Sequence, residues 1–71
     1  MEIRVAWINK RTSRYSSGDW RDEKQLFVLK KWILEQNAKY SHTYYWIETL
    51  ENNKIKNFNW EINDYEYVTV N

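Results

Sequence analysis

The sequence contains no cysteine, no proline, one glycine and one histidine. The absence of cysteine excludes disulfides and thiolate metal sites, and one histidine cannot build a zinc site without carboxylate ligands. No apolar run approaches the roughly 20 residues that a membrane-spanning helix needs, and the first residues lack the apolar stretch of a signal peptide. We therefore expect a cytoplasmic protein that holds no metal and no cofactor.

The scarcity of glycine and proline also limits how the chain can turn. Most turns have to be made by asparagine and aspartate, which tolerate positive φ better than other residues. The 71 residues leave room for one domain, 1–71, which buries only about 60% of the surface that its unfolded chain exposes. Without disulfides or a metal, close packing or self-association has to stabilise so short a fold.

Aromatic side chains are abundant, with five Trp, six Tyr and two Phe in 71 residues. Each buried ring removes roughly 150–250 Å² from water, so this set exceeds what one small core normally absorbs. Some rings should therefore lie at the surface, where Trp and Tyr are favoured at binding sites. The alternative is that the exposed rings merely line one side of a sheet.

The hydrophobic pattern predicts an α+β fold with two layers. Period-two alternation marks strands at 3–8, 44–50, 57–62 and 65–70, with Ile3, Val5 and Trp7 forming the apolar face of the first. Asn52 and Asn53 predict a hairpin turn at 51–54. A helix is predicted from about Trp20 to Ala38, so that one helix packs on a four-stranded, mostly antiparallel sheet in the order β-α-β-β-β.

The predicted helix carries more apolar surface than one packing face uses. Its apolar residues cover an arc of about 260°, whereas a single buried stripe needs roughly 100°. The sheet can cover one side and the loop before the helix another, but otherwise a second protein chain has to do so. We expect partner binding or self-association here, and the candidate contact residues are Phe27, Val28, Lys31, Trp32 and Glu35.

The polar segment 9–18 is predicted to be a long loop leading into the helix, with Asp19 as the N-cap. Residues 1–31 carry eight Lys or Arg and four Asp or Glu, whereas 32–71 carry three Lys and six Asp or Glu. Basic side chains and a helix N-terminus can bind phosphate, and neighbouring rings can stack on bases. The alternative function is therefore nucleotide or short nucleic-acid binding. Its candidate residues are Lys10, Arg11, Arg14, Ser16, Ser17, Trp7, Tyr15 and Trp20.

Three observations weigh, in turn, against a nucleic-acid reader, against a phosphate-binding P-loop and against an enzyme. The sequence pI of about 7.9 is below the value above 9 that is typical of basic readers. The segment 9–18 also lacks the spaced glycines and the Gly-Lys-Ser/Thr ending of a phosphate-binding P-loop. His42 is the only imidazole and has no nucleophile motif with it, so we expect no catalytic residues.

Four features occur in a recognisable order: a Trp-containing strand, a Thr/Gly loop, a helix with Trp and Asn, and a Trp-Ile-Glu strand. The strand and loop comprise 5–12 and Gly18. The helix contains Trp32-Ile33 and Asn37 and is followed by Tyr40, and the last strand contains Trp46-Ile47-Glu48. This order resembles a pattern in short uncharacterised viral and bacterial proteins. The resemblance implies a small non-enzymatic accessory protein, in the host cytoplasm if viral. From the helix face and the surface aromatics, our leading hypothesis is a non-enzymatic binding protein that contacts a second copy of itself as a homo-oligomer, a host protein that it inhibits, or both; the host partner is what the resemblance implies.

Overall fold

Strand β1, Glu2–Asn9, is the central strand of an antiparallel sheet in the computed structural model, which describes residues 1–58. It pairs along its whole length with β4, Thr43–Glu51, in a register that places Val5 opposite Ile47 and Ala6 opposite Trp46. Because side chains alternate across a strand, the odd-numbered residues of both strands share one face. That face carries the core.

Two short strands share the other edge of β1. Strand β2, Tyr15–Ser17, pairs with residues 6–8, and β3, Arg21–Asp22, pairs with Glu2 and Ile3. Strand β5, Lys54–Asn57, extends the sheet beyond β4, so that the order is β2-β1-β4-β5 with β3 also beside β1. All of these pairings are antiparallel.

The helical segment packs on the odd-numbered face of the sheet. A 3₁₀ turn, Glu23–Gln25, leads directly into α1, Leu26–Lys39, and the Asp22 side chain caps it by accepting the amide N–H of Lys24 at 2.8 Å. The interface between helix and sheet contains the fully buried core. Its members are Ile3, Leu29, Ile33 and Ile47, with Val5, Leu26, Tyr45 and Phe58 packed around them.

The predicted class, one helix on an antiparallel sheet, is confirmed, but the order of elements differs. The described order is β-β-β-α-β-β, because the segment predicted as a loop pairs twice with β1. The predicted helix start is wrong: Asp22 is the cap rather than Asp19, since 21–22 first form a strand. The strand predicted at 57–62 begins earlier, at Lys54, and most of it, like the strand at 65–70, lies outside the described residues.

Residues other than glycine make the tight turns, as the composition predicts. Asn52 and Asn53 connect β4 to β5 with φ values of 53° and 60°, which confirms the predicted hairpin turn. Ser13 has a φ of 60° in the turn between β1 and β2. Asparagine reaches this left-handed region at low cost because its short side chain can hydrogen-bond locally.

Asn37 attaches the end of α1 to the edge of β4 that β5 leaves uncovered. Its amide nitrogen donates to the Tyr45 carbonyl at 2.9 Å, and its amide oxygen accepts the Tyr45 N–H at 2.7 Å. The side chain therefore supplies both hydrogen bonds that a neighbouring strand would have made.

We expect Asn37→Ala to lower the free energy of unfolding by about 1–3 kcal/mol, because it leaves both partly buried backbone groups of Tyr45 without partners. Chemical denaturation followed by circular dichroism measures the change. Gln36→Ala, on the adjacent half-buried position, is the control and should cost less. Equal losses in the two variants would show that the amide pairing adds nothing to stability.

Candidate functional site

The outer side of α1 carries the exposed apolar surface that the sequence predicts. Val28 is 66% exposed, Trp32 41%, Leu34 54% and Phe27 59%. Lys31 and Glu35 are exposed as well, so all five predicted partner-contact residues lie at the surface of the described chain. Val28 and Trp32 are one turn apart and form one flank of the helix, with Lys31 and Glu35 along its outermost line.

A groove of about 400 Å³ lies beside the flank formed by Val28 and Trp32. Trp7 on β1, Gly18 and Arg21 also line it. The Trp7 and Trp32 rings both contact Tyr45, at centroid distances of 6.1 and 5.3 Å, and the second contact is edge-to-face. The exposed flank, Val28 and Trp32, and the groove that they line thus form one surface, which we call the helix surface.

The basic segment is a tight hairpin tip between β1 and β2 rather than a loop that leads into the helix. The Asn9 side chain accepts the N–H groups of Arg11 and Thr12 at 2.9 and 3.2 Å. The Asn9 backbone carbonyl accepts the Ser13 N–H at 2.7 Å. The Arg14 N–H donates to Thr12 Oγ1 at 3.3 Å.

The tip is also joined to the segment before β4, because the Lys10 N–H donates to the His42 carbonyl at 2.7 Å. All five backbone N–H groups of residues 10–14 are therefore used inside the protein. Strands β2 and β3 separate the tip from the start of the helical segment, so the predicted direct approach of this loop to the helix N-terminus is wrong. Only side chains of the tip remain to contact an anion.

The predicted ligand-binding residues separate onto two faces of the sheet. Trp7 contacts Tyr45 on the helix side, and Ser16, which pairs with Trp7 in the register, belongs to the same face. Tyr15 and Ser17 belong to the other face, with Ile8 and Ala6. Trp7 and Ser16 therefore cannot act together with Tyr15 on one ligand. The Trp20 ring, another predicted ligand-binding residue, lies 4.2 Å from the Arg4 guanidinium.

The sheet face away from the helix, which we call the open face, contains a largely buried ion pair. Arg4 Nε donates to Glu48 Oε1 at 2.8 Å, and the two side chains are only 16% and 8% exposed. The Tyr15 hydroxyl donates to the same Glu48 oxygen at 2.7 Å. Burial alone would lower the pKa of Arg4, but the hydrogen bond and charge of Glu48, together with Tyr15, outweigh it and raise that pKa.

Aromatic side chains lie next to this ion pair on the open face. Trp46 and Tyr44 are stacked, with centroids 5.8 Å apart and planes 20° from parallel, and Tyr15 lies 6.0 Å from Trp46. Trp46 Nε1 donates to Asn57 Oδ1 at 3.0 Å, which fixes the indole. None of Tyr44, Trp46, Arg4 and Glu48 is among the candidate site residues predicted from the sequence. The alternation of Tyr44, Trp46 and Glu48 along one strand was the signal that could have found this face.

Within residues 1–58, no cluster of three or more His, Cys, Asp or Glu side chains is arranged to hold a metal ion. His42 is exposed. None of the helices described between residues 1 and 58 is both long and apolar enough to cross a bilayer. No family model, curated protein or solved structure matches the chain. The resemblance to short viral and bacterial proteins, and the origin it implies, therefore stay predictions.

Proposed function

We propose that the protein is a small non-enzymatic binding protein that associates with a second copy of itself through the helix surface. The observation that carries this proposal is the exposure of Val28 and Trp32, at 66% and 41%, on the flank of the helix that borders the groove. Large apolar side chains that are exposed together, with charged residues beside them, mark interaction surfaces on soluble proteins.

The charges on the outermost line of the helix favour a second copy as the partner. Lys31 and Glu35 are exposed, carry opposite charges and lie one turn apart. In a two-fold contact between antiparallel helices, Lys31 of each chain faces Glu35 of the other, because residue i meets residue j reciprocally. The same arrangement places Trp32 of both copies beside the shared axis and Val28 towards each end of the contact, where burial of apolar area stabilises the dimer.

We expect the wild-type protein to form dimers whose population rises with concentration in sedimentation equilibrium. Val28→Asp should weaken dimerisation at least about tenfold, which corresponds to about 1.4 kcal/mol, because it places an unpaired carboxylate in the interface. Ile55→Asp is the matched control: Ile55 is 54% exposed and β-branched, but it lies on β5. A wild-type chain that stays monomeric at every concentration contradicts the proposal.

Charge exchange between Lys31 and Glu35 tests the symmetry of the contact. Lys31→Glu and Glu35→Lys should each weaken the dimer by roughly fivefold, since two reciprocal surface pairs of about 0.5 kcal/mol are lost. The double exchange, Lys31→Glu with Glu35→Lys, should restore wild-type dimerisation. Failure of the double variant to recover, with its helix content intact, would show that the copies do not meet by this antiparallel pairing.

A further inference from the structure

We infer that the open face of the sheet binds single-stranded nucleic acid, with bases on its exposed rings and phosphates at the hairpin tip. This surface is separate from the helix surface, because the two lie on opposite faces of the same sheet. The inference rests on three observations: the rows of side chains across the strands, the exposure of the rings, and the position of the basic residues.

The strand register places aromatic and apolar side chains in rows across the open face. Ile8 lies between Tyr15 of β2 and Tyr44 of β4 in one row. Ala6 lies between Ser17 and Trp46 in the next row, and Ala6 is fully buried. The small Ala6 side chain in the centre lets the rings on the flanking strands approach one another, so the rows form a continuous aromatic floor.

The rings of this floor are accessible and held in place. Tyr15 and Tyr44 are each 49% exposed. The Tyr15 hydroxyl is fixed by Glu48 at 2.7 Å, and Tyr44 is stacked on Trp46, whose indole N–H is fixed by Asn57. A ring that is held by its neighbours loses little conformational entropy when a base stacks on it. Stacking of this kind tolerates any base, since every base has a π-face.

The basic residues lie at the end of the face where these rings are. The tip, residues 10–14, directly follows the row of Ile8 and Tyr15, and Lys10 is joined to His42 just before β4 begins. Among residues 1–58, no carboxylate lies within 4.0 Å of a charged nitrogen of Lys10, Arg11 or Arg14. The three cations are therefore available for phosphates.

Four carboxylates of the described chain, Glu2, Asp22, Glu23 and Glu48, are placed or paired away from this tip. Glu2 pairs with Asp22 and Leu50 at the opposite end of the sheet, and Glu23 is near the N-terminal amine at 3.9 Å. Glu48, on the open face itself, is already neutralised by Arg4. The open face thus combines exposed rings with positive charge at one end, although the chain as a whole carries a net charge of only +1.

This combination favours an unpaired strand over a duplex. Rings on a sheet can stack only on bases that are not paired with another base. Binding to a duplex needs a helix or strands that enter a groove, or an extended basic surface. Three cations at one end contact a few phosphates and cannot follow a long polyanion. A short segment of single-stranded RNA or DNA can place its bases on the rings and its phosphates at the tip.

Fluorescence anisotropy with labelled oligothymidylate and oligouridylate of about 12 nucleotides, at low salt, tests the inference. We expect both to bind, and Tyr44→Ala to weaken binding about fivefold or more. Tyr44→Phe keeps the ring and should bind within about twofold of the wild type. Equal affinities indicate recognition of base and phosphate alone, and a preference for oligouridylate indicates an added contact to the 2′-hydroxyl; either supports the inference.

The contribution of the tip is measured by the salt dependence of the same binding. The triple variant Lys10→Gln, Arg11→Gln, Arg14→Gln should reduce the slope of log affinity against log salt by about 2, since each single-strand phosphate contact contributes about 0.7. The control, Lys24→Gln, Lys54→Gln, Lys56→Gln, removes the same charge elsewhere and should change the slope by less than half as much. No binding at low salt, wild-type binding by Tyr44→Ala, or equal binding of a duplex would overturn the inference.

Discussion

Ile33→Ala is expected to lower the free energy of unfolding by about 3–4 kcal/mol. Ile33 is fully buried and joins Leu29 on the helix to Ile3 and Ile47 on the two central strands. Truncation to alanine removes apolar contacts and leaves a cavity between the two layers. A domain of this size has a total stability of only about 4–10 kcal/mol, so the variant should be largely unfolded at modest urea concentrations.

Urea denaturation followed by far-ultraviolet circular dichroism measures this loss. Protein concentration has to be equal for all variants, because the proposed dimerisation would stabilise the folded state. Leu34→Ala is the control on the same helix, since Leu34 is 54% exposed and should cost less than about 1 kcal/mol. Equal losses for Ile33→Ala and Leu34→Ala would contradict the orientation of the helix on the sheet.

The second large effect is expected from Glu48→Ala, which should lower the free energy of unfolding by about 2–4 kcal/mol. The carboxylate accepts hydrogen bonds from both Arg4 Nε and the Tyr15 hydroxyl, and its side chain is only 8% exposed. Its removal leaves a largely buried guanidinium without a counter-ion. Trp20, stacked against that guanidinium at 4.2 Å, compensates for only part of the loss.

Glu51→Ala is the matched control for this change, since Glu51 is an exposed glutamate on the same strand and should cost no more than about 0.5 kcal/mol. Glu48→Gln keeps an acceptor oxygen and removes the charge, so its loss should lie between the other two. Urea denaturation of all three variants ranks them by their free energies of unfolding. A Glu48→Ala variant as stable as Glu51→Ala would show that the ion pair on the open face adds nothing to the stability of the fold.

Much of the fold follows from local patterns in the sequence. Alternation along 3–8 and 44–50 predicts the two central strands, and Asn52 with Asn53 predicts the turn that the structure contains. The apolar arc of the helix predicts exposed apolar residues, and Val28 and Trp32 are exposed. These signals are local, because strand and helix periodicities and turn residues act over a few positions.

What the sequence did not predict depends on contacts between distant segments. Strands β2 and β3 have only three and two residues, and they exist because β1 offers an edge for them. Asp19 and Asp22 both suit a helix cap, and only the pairing of 21–22 with β1 selects Asp22. The error in helix start therefore came from a tertiary contact that overrode local preference.

The open face was missed for the same reason. Arg4 and Glu48 are 44 positions apart, and only the register of β1 with β4 shows that they meet. Proximity in sequence groups Trp7 with Tyr15, but the alternation of Trp7 with Ile3 and Val5 assigns it to the helix side of the sheet. Period-two alternation was thus a better guide to the faces than distance along the chain.

The proposal of self-association on the helix surface is tested most directly by ¹H–¹⁵N chemical-shift mapping during dilution of the wild-type protein. We predict that amide shifts across 27–35 change with concentration, while those of Tyr44 and Trp46 on the open face stay constant. A spectrum that does not change on dilution, or changes confined to the open face, would contradict an interface on the helix.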